Sequence, residues 1–159
     1  MVRISILLSL VGALVCAQTL ATLSVTGDVA TPLKLSADEL AKMPRETASV
    51  DGPNGKVQYE GVALREVLAR AGAPMGKQLR GKALASYVIA KARDGYQVVF
   101  SVGEIDAAFG NAQVIIADRR DAKPLPENQG PLRLVCPNDH EGARSVRMLE
   151  SLELVRLQK

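Results

Sequence analysis

Cys136-Pro137-Asn138-Asp139-His140 is where the side chains able to do chemistry crowd together, with Arg133 just before it and Arg144 and Arg147 just after. His140 is the single histidine among 159 residues, and Cys136 is one of two cysteines. A cysteine and a histidine four apart fall short of a zinc site, which takes four ligands. The plainer reading, a buried strand cysteine and a surface histidine, is preferred. Ser145 or Cys136 could pair with His140 as nucleophile and base, but no G-x-S-x-G elbow supports that pairing. Glycine loops of the G-x-G-x-x-G or G-x-x-x-x-G-K-[ST] type, which cradle phosphates, are missing as well. What remains is anion capture by arginine. Arg133 interrupts the apolar run 132–135, where an unpaired guanidinium is costly. It needs an internal acid, such as Asp118 or Asp139, or a bound phosphate or carboxylate gripped in bidentate fashion. Arg144 and Arg147 are three apart, so on a single helical turn they would point the same way.

The segment holding these residues, 118–147, also carries four of the eight prolines. Polar loops of that length inside a domain are either functional or disordered, and the apolar run in the middle argues for order. Ahead of it, residues 1–17 look like a secretory leader. Met1-Val2-Arg3 gives a positive start, residues 4–15 an apolar stretch, and Val15-Cys16-Ala17 a cleavage site after Ala17. The stretch is short for a membrane span, which needs about 20 residues, and Val15 is bulky for a lipid-anchored Cys16. The expected product is one domain, 18–159, periplasmic or secreted and free of the membrane after leader removal. Cys136 is then its lone thiol, either buried and inert or kept for its chemistry, and no internal disulfide can form. Loss of Arg3 lowers the formal charge from +3 to +2. With two Phe, three Tyr and no Trp, neither charge nor stacking surface favours a nucleic-acid partner.

The elements that must position the arginines read as follows. Residues 23–28 alternate as a strand, with 33–35 as its hairpin partner. Ser36 with Glu39 forms a capping box that starts a helix running to about Met43, before Pro44. Residues 47–50 and 56–59 are strands either side of the turn Asp51-Gly52-Pro53-Asn54-Gly55. Leu64, Val67, Leu68 and Ala71 share one face of a helix closed by Gly72. Asp94-Gly95 joins strands 86–92 and 96–101 as a hairpin. A short helix is expected at 104–109, and apolar strands at 114–117, 132–135 and 149–157. About eight strands and three short helices make an α+β domain with mixed or antiparallel sheets.

Four segments in order resemble one family. Tyr59-Glu60-Gly61-Val62-Ala63-Leu64, then Val67-Leu68 and Ala71-Gly72, resembles the aromatic-x-G-v-p-L segment of sulfite-oxidase-like molybdopterin-binding domains. Asp94-Gly95-Tyr96, followed by Ser101 and Glu104, is similar to that family's D-G-Y hairpin. Lys123-Pro124-Leu125-Pro126 through Gly130-Pro131-Leu132-Arg133-Leu134-Val135 and Pro137 resembles its proline block. Gly142-Ala143-Arg144-Ser145-Val146-Arg147-Met148-Leu149 resembles its G-a-r-x-v-K-w-l segment. The resemblance implies a small exported α+β domain binding one molybdopterin, with Arg133, Arg144 and Arg147 holding the pterin and its phosphate and His140 in the same loop. It also implies oxo transfer or reduction of a small oxygenated substrate, with a redox partner protein. Two departures stand out. The family's metal-ligating cysteine would lie twelve residues before Gly61, at Ser49, whose hydroxyl is a poor replacement for a soft thiolate. Gln129 stands where the family commonly has a histidine. Cys136 is elsewhere and a weak substitute, so the alternative to a redox enzyme is a non-catalytic binding or accessory module for a small anionic ligand.

Overall fold

The computed structural model describes residues 21–157, so the leader reading for residues 1–17 lies outside the described residues. Among the described residues, ten strands form two sheets. The first contains β1 (Thr22–Gly27), β2 (Leu33–Ser36), β5 (Ser86–Ala92), β6 (Gln97–Ser101) and β10 (Leu149–Arg156), in the order β2-β1-β10-β5-β6. The second contains β3 (Arg45–Gly52), β4 (Gly55–Ala63), β7 (Ile115–Arg120) and the two-residue β8 (Lys123–Pro124) in that order, with β9 (Arg133–Val135) also pairing with β7. All pairings are antiparallel except β1 with β10. The helices are short: α1 (Ala37–Ala41), α2 (Leu64–Arg70) and α3 (Val102–Ile105), with single 3-10 turns at Gly76–Gln78, Gly81–Ala85 and Gly142–Arg144. The mixed α+β architecture is the expected one. Among the described residues no helix is long and apolar enough to cross a membrane.

Burial follows the residue pattern. The first sheet turns Leu23, Val25, Val88, Ala90, Phe100, Leu152 and Leu154 into the main core, where they meet Leu64, Val67 and Leu68 of α2 and Val62, Ile116 and Leu134 of the second sheet. The opposite face of the second sheet is buried too, through Ala48, Tyr59, Ile115, Ala117 and Val135, with Val50, Val57 and Leu125 packed against them. Strands buried on both faces lose the polar alternation and read as unbroken apolar runs. That accounts for the pattern at 114–117 and 132–135. Arg133 lies on the same strand face as Val135, because residues two apart share a side. It therefore emerges on the second, smaller core rather than between the sheets.

The local signals hold at most positions. Ser36 accepts the Glu39 amide, and Glu39 accepts the Ser36 amide in return, which starts α1 as expected. The hairpin of β3 and β4 is longer than its turn signal implied, with Gly52 opposite Gly55. One helix is displaced. A second capping box, Ser101 with Glu104, starts α3 at Val102 instead of 104, and Asp106 ends it by turning extended. The buried carboxylate of Asp106 then receives the amides of Gly76 (2.6 Å) and Ala108 (2.8 Å). The stretch 106–110 is consequently a capped loop rather than a helix.

Candidate functional site

β9 and the loop after it form one side of a cleft of about 400 Å³. Val50, Arg133 and Val135 give it an apolar floor with one charge. Cys136, Pro137, Asn138, Asp139 and His140 form its wall, and Asp51, Gly142 and Ser145 complete the rim. The loop 136–145 is shaped by its own polar groups. Ser145 Oγ accepts the Cys136 amide (3.1 Å), and the Asp139 amide reaches the Cys136 carbonyl (3.3 Å).

Arg133 is held by neutral groups. Its Nη1 donates to Tyr59 Oη (3.0 Å) and Gln129 Oε1 (2.6 Å), and its guanidinium carbon lies 5.1 Å from the Tyr59 ring centroid. Its Nε is buried without a partner. Both acids foreseen as internal partners are engaged elsewhere. Asp118 takes a two-pronged contact from Arg45 (2.9 and 2.5 Å), and Asp139 takes one from Arg144 (2.8 and 2.7 Å). Among the described residues no carboxylate pairs with Arg133. Burial, reinforced by the positive charges of Arg147 and Arg120, pulls its pKa below the ordinary guanidinium value against the opposing influence of Tyr59. A partly desolvated cation among neutral acceptors and like charges is electrostatically suited to an anion.

Arg144 and Arg147 do not share a helical face. Arg144 ends the 3-10 turn Gly142–Arg144, and Arg147 follows it in a bend before β10. All three nitrogens of Arg144 are spent on acids, Nε and Nη2 on Asp139 and Nη1 on Glu104 (2.6 Å), while its guanidinium carbon lies 5.0 Å from the Phe100 ring centroid. Those hydrogen bonds, that to Asp139 above all, raise its pKa further above the guanidinium norm. Arg147 is exposed and makes no ion pair among the described residues; it lines a shallower hollow of about 250 Å³ with Asp94, Tyr96, Ala143 and Ser145. Ser145 is common to both hollows. His140 is exposed on the cleft wall.

The metal side of the site is poorly furnished. Ser49 is exposed on β3 opposite Gln58 and does not line the cleft, whereas its neighbours Val50 and Asp51 do. Cys136 does line it, but burial, and secondarily the Asp139 carboxylate, pushes its thiol up to about 12. Among the described residues no cluster of three or more His, Cys, Asp or Glu is placed to hold a metal. Sequence reasoning missed Tyr59 as a partner of Arg133, because a contact across 74 positions has no local signal. Gln129 was legible only as a departure from a family pattern.

Residues 17–159 match the oxidoreductase molybdopterin binding domain family. No curated protein matches the chain. Among solved structures, the sulfane dehydrogenase SoxCD from Paracoccus pantotrophus is similar in fold, with a TM-score of 0.65 at 21% identity, over 84% of this chain. The match spans only 37% of that longer chain. With the family matched over nearly the whole sequence and the same mixed two-sheet fold in a solved relative, the chain belongs to the oxidoreductase molybdopterin binding domain family.

Proposed function

We propose that this chain is an exported binding domain whose cleft holds a phosphate-bearing, pterin-type anion without contributing a protein thiolate to a metal. The observation that carries this reading is Arg133, a half-buried guanidinium lining the cleft with neutral partners, a buried and orphaned Nε and no acid. Partial desolvation without an acid disfavours its charge, and an anionic ligand offsets that cost. The residues therefore fit the anionic part of the family cofactor. Arg133 would hold its charge, Arg147 would lie alongside across Ser145, and His140 and Asn138 would offer polar contacts at the rim.

The donor set does not fit the metal. The position where a thiolate is expected is a serine outside the cleft. The thiol inside the cleft directly follows β9 instead, and burial holds its proton so firmly that a metal would have to displace it. No redox step is therefore assigned to this chain's own residues; what they supply is charge, shape and hydrogen bonding. Export is proposed from residues 1–17 and suits a domain whose lone mature cysteine is buried and unreactive.

The test is a cofactor analysis on protein exported from cells that make molybdopterin. The expected result is bound pterin at near one equivalent with molybdenum far below it, and at least a tenfold loss of pterin in a folded Arg133→Met variant. Folded wild-type protein without pterin would overturn the reading. Stoichiometric molybdenum would overturn its second half.

A further inference from the structure

Asp139 places a carboxylate on the wall of a cleft read above as an anion site, which on its face opposes that reading. Its surroundings resolve the conflict. Arg144 grips both Asp139 oxygens in a fork, at 2.8 and 2.7 Å, and its third nitrogen reaches Glu104 Oε1 at 2.6 Å. Glu104 is itself anchored, because its other oxygen accepts the Ser101 amide (3.3 Å) as the reciprocal half of the α3 capping box. The Arg144 guanidinium also lies against Phe100, a fully buried core side chain. The cleft wall is thus tied through one side chain to the rim of the first sheet. Cys136 is separately held by its burial in the main core and by Ser145 Oγ, but past it little else ties the wall: Asn138 and His140 are exposed, and the backbone contact at Asp139 is long.

We propose that Arg144 is a positioning residue rather than a ligand: it pins the 136–140 wall and cancels the Asp139 charge, so that the cleft presents Arg133 to an anion without a competing carboxylate. The consequence for binding rests on the anion-site reading of Proposed function, whereas the pin itself does not. Two acids, Asp139 and Glu104, share one guanidinium. Removing Arg144 therefore frees a negative charge at the cleft wall and loosens the wall together, whereas neutralising Asp139 removes the charge.

Inorganic phosphate is titrated into the exported protein and followed by amide shifts across residues 133–147, with alkylation of native Cys136 measured by mass spectrometry at pH 8. Arg144→Ala is expected to weaken phosphate at least tenfold. Asp139→Asn is expected to stay within threefold of wild type, and the double variant to return within threefold. A double variant as weak as Arg144→Ala, or Arg144→Ala binding like wild type, overturns the proposal. If wild type shows no saturable phosphate binding, the anion-site reading fails and alkylation decides the pin alone. A rate at least tenfold faster in the double variant, in which the Arg144 and Asp139 charges that act oppositely on the thiol leave together, supports it, and an unchanged rate overturns it.

Discussion

Arg133 and Cys136 are three residues apart and meet opposite fates for the same reason, desolvation. Burial disfavours whichever form is charged. The guanidinium cannot discharge in the accessible pH range, so it keeps its charge and remains an open demand for an anion. The thiol meets the same burial by holding its proton, and its pKa moves from 9.0 to about 12. At pH 8 that shift lowers the thiolate fraction on the order of 1000-fold. Iodoacetamide should therefore label native Cys136 roughly three orders of magnitude more slowly than in the denatured chain, measured by mass spectrometry over time. Comparable rates would show a reactive cysteine instead. The same shift fixes a sign for stability. The unfolded thiol releases its proton first, so the stabilisation is intact below about pH 9 and is lost as pH climbs toward 12. An arginine inside an apolar run is visible in any sequence. Which groups surround it is not, since Tyr59 and Gln129 approach from a different strand and a different loop.

Among the elements, β4 shows how a backbone constraint places a functional side chain. Its register against β7 shifts between Glu60 and Gly61, so that Glu60 opposes Arg119 while Gly61 opposes Ala117. The extra residue is Asp118, and such a bulge re-aims side chains; Asp118 meets Arg45 there and is withdrawn from Arg133. Gly61 is required by close approach. A Cβ built on it would lie 2.0 Å from the Ile116 carbonyl oxygen and 2.6 Å from the Ala117 Cα, both backbone atoms that cannot swing away. Gly61→Ala should cost about 3 kcal/mol or more and lower Tm by roughly 10 °C. Gly103→Ala is the control: it meets only Ser101 Oγ at 3.5 Å and lies in α3, so it should be neutral or stabilising by up to about 1 kcal/mol. Equal Tm values for the two variants would refute the close-approach argument. Signals carried within a few residues were legible, such as the Ser36 box and the apolar face of α2. The start of α3 was not, because the Ser101–Glu104 box that sets it at Val102 lies ahead of the expected helix. The 3-10 turns at Gly76–Gln78 and Gly81–Ala85 are too short to show any period.

At the scale of the molecule, both ends of the described chain meet inside one sheet. β10 lies between β1 and β5 and pairs parallel with β1, joining residues such as Val25 and Leu152 that are distant in sequence. Periodicity marks both segments as strands but says nothing about partners, so this closure was hidden. It has a consequence for the whole fold. β10 supplies Leu149, Leu152 and Leu154, all buried, to the main core. Each such side chain contributes about 1.5–3 kcal/mol on burial, and a domain of this size has a total stability of only about 5–15 kcal/mol. Without β10 the first sheet splits into β2-β1 and β5-β6, and two-stranded pieces are marginal alone. The cleft loop also loses an anchor, because the Leu149 amide donates to the Leu132 carbonyl at 2.8 Å next to Arg133. A chain ending at Met148 should therefore show no cooperative urea transition by circular dichroism and no phosphate-dependent gain in stability. A sharp transition in that truncated chain would mean that the second sheet and its helices fold by themselves, and that the closure of β1 on β10 is an addition to the domain rather than its keystone.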